Sequence, residues 1–222
     1  MQTQTITCAA LSNDDNGISV SQTPAAGGAQ ELTITGALAA GGVATMAAGQ
    51  PVSIESAADE TGRTFTVTGT DADGTACTDA ITGADSATAL GTVFFKTVTS
   101  ISVDDDTAGA VYAGVLKADG GVSPTMDVNV GEYGVAFVPS LWTDVTTGTY
   151  TVEMTYTKIN DTNSNGYSNS AVWFPITEFT AKTADIQANL TVPCHGLRMK
   201  TTTSTSGAMT AVLISPVPKA LA

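Results

Sequence analysis

Along this chain apolar and polar residues alternate, so that every second side chain falls on one face. Glu31-Leu32-Thr33-Ile34-Thr35 and Pro51-Val52-Ser53-Ile54-Glu55 both carry this period of two, the spacing of a strand with one buried face. The Gly/Ala stretch between them, residues 36–49, is predicted to be a loop with Leu38 and Val43 turned inward. Arg63 to Thr70, Asp71-Ala72-Asp73-Gly74 and Thr75 to Thr82 together predict a β-hairpin. Asp and Gly suit its tip because the Asp carboxylate accepts backbone N–H groups two residues on and Gly tolerates positive φ. Residues 83–91 read as a loop, Val93 to Thr97, Val98 to Val103 and Ala110 to Val115 as strands, and Asp104-Asp105-Asp106 as a break.

Beyond Ala118-Asp119-Gly120-Gly121, a linker by composition, strands are predicted at 133–138, 148–156, 172–174, 186–192, 197–202 and 208–214. Asn160 to Gly166 has nothing to anchor a core and reads as an exposed loop. The first thirty residues are turn-rich, through Ser12 to Gly17 and Pro24 to Gly28, with one short strand expected near Ile18 and Val20. Short strands with turn signals about every eight to twelve residues indicate sandwiches or barrels rather than βαβ units. The expected fold is therefore all-β: two tandem antiparallel β-sandwich domains, jelly-roll or Ig-like, with a short N-terminal arm. The boundaries read as an arm at 1–30, an acidic β-sandwich at 31–117 and a C-terminal β-sandwich at 118–222.

Composition agrees with this pattern. Hydrophobic residues make up 42% of the 222, but aromatics only 6% and charged residues 13%, and the abundant Thr and Val pack well on a pleated surface. Charge adds an exclusion. With 21 acidic and 8 basic residues the net charge is −13, which repels phosphate backbones and anionic lipid heads, so neither nucleic acid nor a membrane surface is expected as a partner. The charge is also uneven: through Val115 the net is −11, and beyond it −2. The near-neutral half carries Trp142, Trp173, Phe174 and Phe179, which serve either as core or as an interface, since aromatics are enriched in both.

No apolar run reaches the eighteen or so residues of a membrane span, and the start MQTQTITCAALSNDD has no basic or apolar leader region, so no export signal is expected. Cys8, Cys77 and Cys194 are odd in number and far apart, a pattern of separately packed thiols made in a reducing cytoplasm.

Candidate chemistry is sparse. Cys194 and His195, the latter the single histidine, invite a thiolate or metal reading, but neighbours on a strand point to opposite faces and no further His or Cys stands near them in sequence. Asp71, Asp73 and Asp104 to Asp106 suggest calcium. A twelve-residue calcium loop from Asp71 needs Glu at its last position and meets Thr82, leaving only a looser surface site against solvated turns. No nucleophile elbow, phosphate loop or paired-histidine zinc motif occurs in the sequence. No catalytic, cofactor-binding or metal residue is assigned, and no enzymatic activity or cofactor is expected. Sugar cleavage by two placed carboxylates is the one chemistry that 21 acids leave open.

Two stretches, Gly62 to Gly74 and Phe94 to Val103, resemble a recurrent segment of structural proteins in tailed bacteriophages. Phe179 to Ala184, Leu197 to Lys200 and Thr205 to Thr210 are similar to the C-terminal strands of small phage virion proteins. The resemblance covers 39 of the 222 residues and implies a virion location, after synthesis in the host cytoplasm, and a β-sandwich fold. The expected function is that of a capsid cement or decoration protein holding the head shell through protein–protein contacts. Its expected partners are the major capsid protein or other virion proteins, and copies of itself, with a trimer favoured. The alternative is a head-fibre or tail-associated host-recognition protein, binding a receptor or glycan through loops such as Asn160 to Gly166.

Overall fold

A computed structural model gives the fold and describes residues 2–128, 140–145, 148–157, 171–190, 194–204 and 207–215. The strand expected at 133–138 and the loop at 160–166 lie outside the described residues, as do Val192, Pro193, Thr205 and Ser206. The chain is all-β with antiparallel pairing throughout the described ladders.

The division of the chain differs from the expected arm followed by two tandem domains. One compact unit is continuous, Leu11–Gly121, while the other joins Met1–Ala10 to Val122–Ala222. Residues 1–30 are therefore not an arm. Strand β1 (Gln2–Cys8) pairs over seven residues with β17 (Met209–Ser215), burying Ile6 and Cys8. Strand β2 (Asp14–Gln22) pairs with β9 (Val111–Val115) in the continuous unit and buries Ile18. The reason is that β1 is mostly Gln and Thr, so its two inward apolar side chains carry little sequence signal. A strand is held as much by its backbone ladder as by its pattern.

In the continuous unit, β3 (Gln30–Leu32) and β4 (Ala39–Ala40) precede β5 (Val43–Ser56), the first of two long strands. β4 and β5 form a hairpin over Gly41 and Gly42, both at positive φ, where a long loop was expected. Ala44, Met46 and Ala48 alternate inward there, and small alanines hide the period. β6 (Thr64–Thr70) and β7 (Ala76–Thr82) make the expected hairpin. The Asp71 carboxylate accepts N–H bonds from Asp73 and Thr75, both 2.9 Å.

The second long strand, β8 (Thr88–Val103), runs through what read as a loop and two separate strands. Its first part pairs with β5 up to Val98, and its last part pairs with β6 on one side and β3 on the other. Ile54, Phe65, Val67, Phe95, Ile101 and Val111 all belong to one buried core cluster. A short 3-10 turn, Lys117–Asp119, then leads to β10 (Gly121–Val122).

The split unit contains two sheets. One has the order β1, β17, β12 (Ser140–Val145), β15 (Gln187–Asn189). In the other, β13 (Gly148–Thr155) lies between β14 (Trp173–Pro175) and β16 (Gly196–Ser204), and β11 (Met126–Asp127) pairs with β16. Tyr150 of β13 is fully buried, and its hydroxyl lies 2.6 Å from the Thr143 hydroxyl of β12 and donates to the Ala184 carbonyl at 3.0 Å. That contact ties one sheet to the other in the manner of a sandwich. Burial raises the Tyr150 phenol above its ordinary pKa, so it stays a protonated donor.

Gly69 sets the approach of β6 to β8. A Cβ there would lie 1.9 Å from the Thr97 carbonyl oxygen, at the point where the β6–β8 register shifts. Gly69→Ala is expected to destabilise the protein by about 3 kcal/mol, measured by urea unfolding. Gly62→Ala, where a Cβ meets nothing within 4 Å, is expected to stay within about 0.5 kcal/mol.

Candidate functional site

The residues singled out for chemistry are built into the scaffold. The Asp104 carboxylate accepts the Thr64 N–H at 3.1 Å, Asp105 accepts those of Gly28 at 3.2 Å and Asp106 at 2.9 Å, and Asp106 accepts the Gly27 N–H and the Gln30 side-chain amide, both at 2.7 Å. Arg63 donates to the Asp106 carbonyl and faces Asp105 at 3.9 Å. These carboxylates act as acceptors for loop backbone rather than as a bare acidic cluster. No group of three or more His, Cys, Asp or Glu arranged for a metal ion occurs among the described residues.

Cys194 is buried, and burial pushes its thiol up to about 11, far from the thiolate a nucleophile requires. The neighbouring His195 gives its backbone to the scaffold, donating N–H to Thr155 and accepting from Val128. No disulfide joins Cys8, Cys77 and Cys194.

The aromatics of the second half divide. Phe179 is fully buried, whereas Trp142 and Phe174 are exposed. Around Phe174 a surface is built from the edge of the split unit. Phe174 on β14 pairs with Met154 on β13, and its ring lies 5.7 Å from that of Tyr156, tilted by 52°, a favoured aromatic geometry. Tyr156 is 50% exposed, Val172 62% and Phe174 43%, so three large apolar side chains face solvent on β14 and at the adjoining ends of β13 and β14.

Beneath this edge lies a buried ion pair. Glu153 and Arg198 are cross-strand partners on β13 and β16, and Arg198 Nε donates to Glu153 Oε2 at 2.7 Å. The guanidinium lies 4.3 Å from the centre of the Trp173 ring, within cation–π range. Trp173 is thus held by a charge that is itself fixed by a carboxylate, which stiffens β14 from below.

Met154 and Pro175 of the same two strands also line a cavity of about 210 Å³. It is lined by Met154 and the buried Ile176 and Leu190, and by the exposed Pro175, Thr177, Glu178 and Asn189. Met154 belongs to both features, since it lines the cavity and pairs with Phe174. Ile176 is placed by its N–H bond to the Val152 carbonyl and by the 3-10 turn Thr177–Phe179 that follows, anchored by buried Phe179. Of this site the sequence pointed to Trp173 and Phe174 only. Tyr156 and Val172 lay in recognised strands without being distinguished, and no signal marked Glu178 or Asn189.

The arrangement is an exposed aromatic surface on an all-β scaffold, at a three-residue edge strand, together with a small cavity lined in part by the Glu178 carboxylate. Comparison of the chain with protein-family models, curated proteins and solved structures found no match.

Two outcomes follow. Glu153→Gln is expected to cost about 3 kcal/mol, because it leaves the Arg198 charge buried without its counter-charge, while the double change Glu153→Met with Arg198→Met recovers most of that loss; urea unfolding of the three proteins measures both. Asp105 is held below the ordinary carboxylate range by the N–H groups of Asp106 and Gly28 and by Arg63. A carboxylate lowered in the folded state stabilises above its unfolded pKa of about 3.9 and loses that contribution as pH falls through the folded value. The Gly28 amide shift in NMR is accordingly expected to titrate with a midpoint below about 3.9, and to lose this titration in Asp105→Ala.

Proposed function

We propose that this chain is a structural protein of a tailed-phage particle, a capsid cement or decoration protein that holds the head shell by protein–protein contacts. The observation that carries the reading is the separation of surfaces. The continuous unit, residues 11–121, has a net charge of −11, whereas the split unit has −2 and bears the exposed Tyr156, Val172 and Phe174. Interface centres favour aromatics and are depleted of charge, so the split unit is the part suited to grip a neighbour. The acidic unit is suited to solvent, where its charge keeps particles apart and away from nucleic acid.

The resemblance of Gly62 to Gly74 and Phe94 to Val103 to phage structural segments supports the same reading, with the major capsid protein and further copies of the chain as partners, in trimers. The host-recognition alternative relied on Asn160 to Gly166, outside the described residues, and no described feature favours it.

Quantitative mass spectrometry of purified particles tests the proposal. Hundreds of copies per particle are expected. A handful would move the chain to a fibre or tail, and its absence from particles would end the reading. Tyr156→Ser with Phe174→Ser is expected to lower occupancy at least tenfold, about 1.4 kcal/mol or more of binding, without lowering the melting temperature of the isolated protein.

A further inference from the structure

The geometry points to the cavity lined by Met154 and Pro175 as a receptor for one basic side chain, an arginine or lysine presented by an extended segment of the partner. This deepens the structural role proposed above and rests on it for the partner, though not for the binding chemistry. Size comes first. At about 210 Å³ the cavity is smaller than the roughly 300–1,000 Å³ typical of sites for drug-sized ligands and cofactors, and a single long side chain is the occupant that fits.

Its chemistry selects the kind of side chain. Met154, Ile176 and Leu190 offer an apolar wall for an aliphatic stem, and the exposed Glu178 in the same lining offers a carboxylate to a charged head. Lysine and arginine are built in this way, with a stem that packs and a head that stays wet. The Glu178 side chain is exposed and makes no ion pair among the described residues. Asn189 adds an amide oxygen that accepts N–H, and Thr177 a hydroxyl.

Two further observations agree. The whole chain carries −13, a field that favours the approach of a basic segment over an acidic one at long range, while the split unit that holds the cavity carries only −2. Met154 of the lining is the cross-strand partner of Phe174, whose ring packs on Tyr156, and the same sheet already uses guanidinium-on-indole contact in Arg198 over Trp173. An extended segment with a basic residue seated in the cavity would lay its neighbouring side chains on the aromatic pair.

The test uses the full-length protein with methyl-labelled methionine, the Met154 signal being assigned by its loss in Met154→Leu. N-acetyl-arginine amide is expected to shift the Met154 methyl resonance saturably, and added sodium chloride to weaken the effect. Glu178→Gln, a change at an exposed position, is expected to reduce the affinity roughly two- to fivefold, the scale of a solvent-exposed ion pair. An equal shift by the uncharged citrulline analogue or by N-acetyl-norleucine amide would overturn the proposal in favour of an apolar occupant. A saturable shift by methyl glucoside alone would overturn it in favour of a sugar, and an unchanged affinity in Glu178→Gln would remove the carboxylate from the site. Abundant copies on the particle with no arginine response would reject this site and leave the structural role standing. An arginine response in a protein absent from particles would keep the site and remove that role.

Discussion

One strand organises the continuous unit. β8 is sixteen residues long, and no single partner follows it from end to end. β5 runs along its first part, and β3 takes the same side near its end, while β6 covers the other side from Thr97 onward. At Thr97 and Val98 three strands meet, since Thr97 pairs with both Thr45 and Thr70 and Val98 with both Ala44 and Gly69. The close approach there has no room for a side chain at residue 69, and a strand handed from one set of neighbours to another needs such breaks in register. The core cluster of Phe65, Val67, Phe95, Val98 and Ile101 is the consequence, for it is gathered from both sides of this crossing.

Breaks in register leave backbone N–H groups without ladder partners, and buried or half-buried donors must be met by something. Here carboxylates meet them. Where the β5–β8 register slips between Pro51 and Ser53, Asp79 accepts the N–H groups of Thr92 and Val93 at 2.6 and 3.0 Å. Glu60 accepts that of Gly109, Asp71 closes the hairpin tip, and Asp104 to Asp106 tie the 27–30 segment and Thr64. Much of the acidity of this unit is therefore fastened to its loops. A charge that reads in the sequence as a surface property also holds the turns in shape.

This explains what was legible. Hairpin β6–β7 could be read because its signals are local: alternation, an Asp at the tip and a Gly at positive φ. β1 could not, since its partner β17 lies some two hundred residues away and its Gln and Thr side chains show almost no hydrophobic period. The first half of β5 was lost because Ala44 and Ala48 are apolar enough to bury yet too small to stand out. At the site, Trp173 and Phe174 announced themselves by size, but whether an aromatic is core or surface depends on the strand's position in the sheet. Phe179, five residues after Phe174, is fully buried while Phe174 is exposed. Glu178 gained meaning only when the turn after β14 placed it beside Asn189 and Leu190.

A surface that binds through exposed aromatics gains most when those rings are already held, because less freedom is lost on association. β14 is only three residues long and would be a weak support by its ladder alone. Two features compensate. Trp173 is pinned from one side by Arg198, whose charge is balanced by Glu153, and Phe174 leans on Tyr156 and pairs with Met154. Burying an ion pair is rarely a net gain in stability over a well-packed apolar replacement. Its presence under this exposed aromatic edge is better understood as positioning: the pair fixes where Trp173 lies, and with it the orientation in which β14 presents its other side chains.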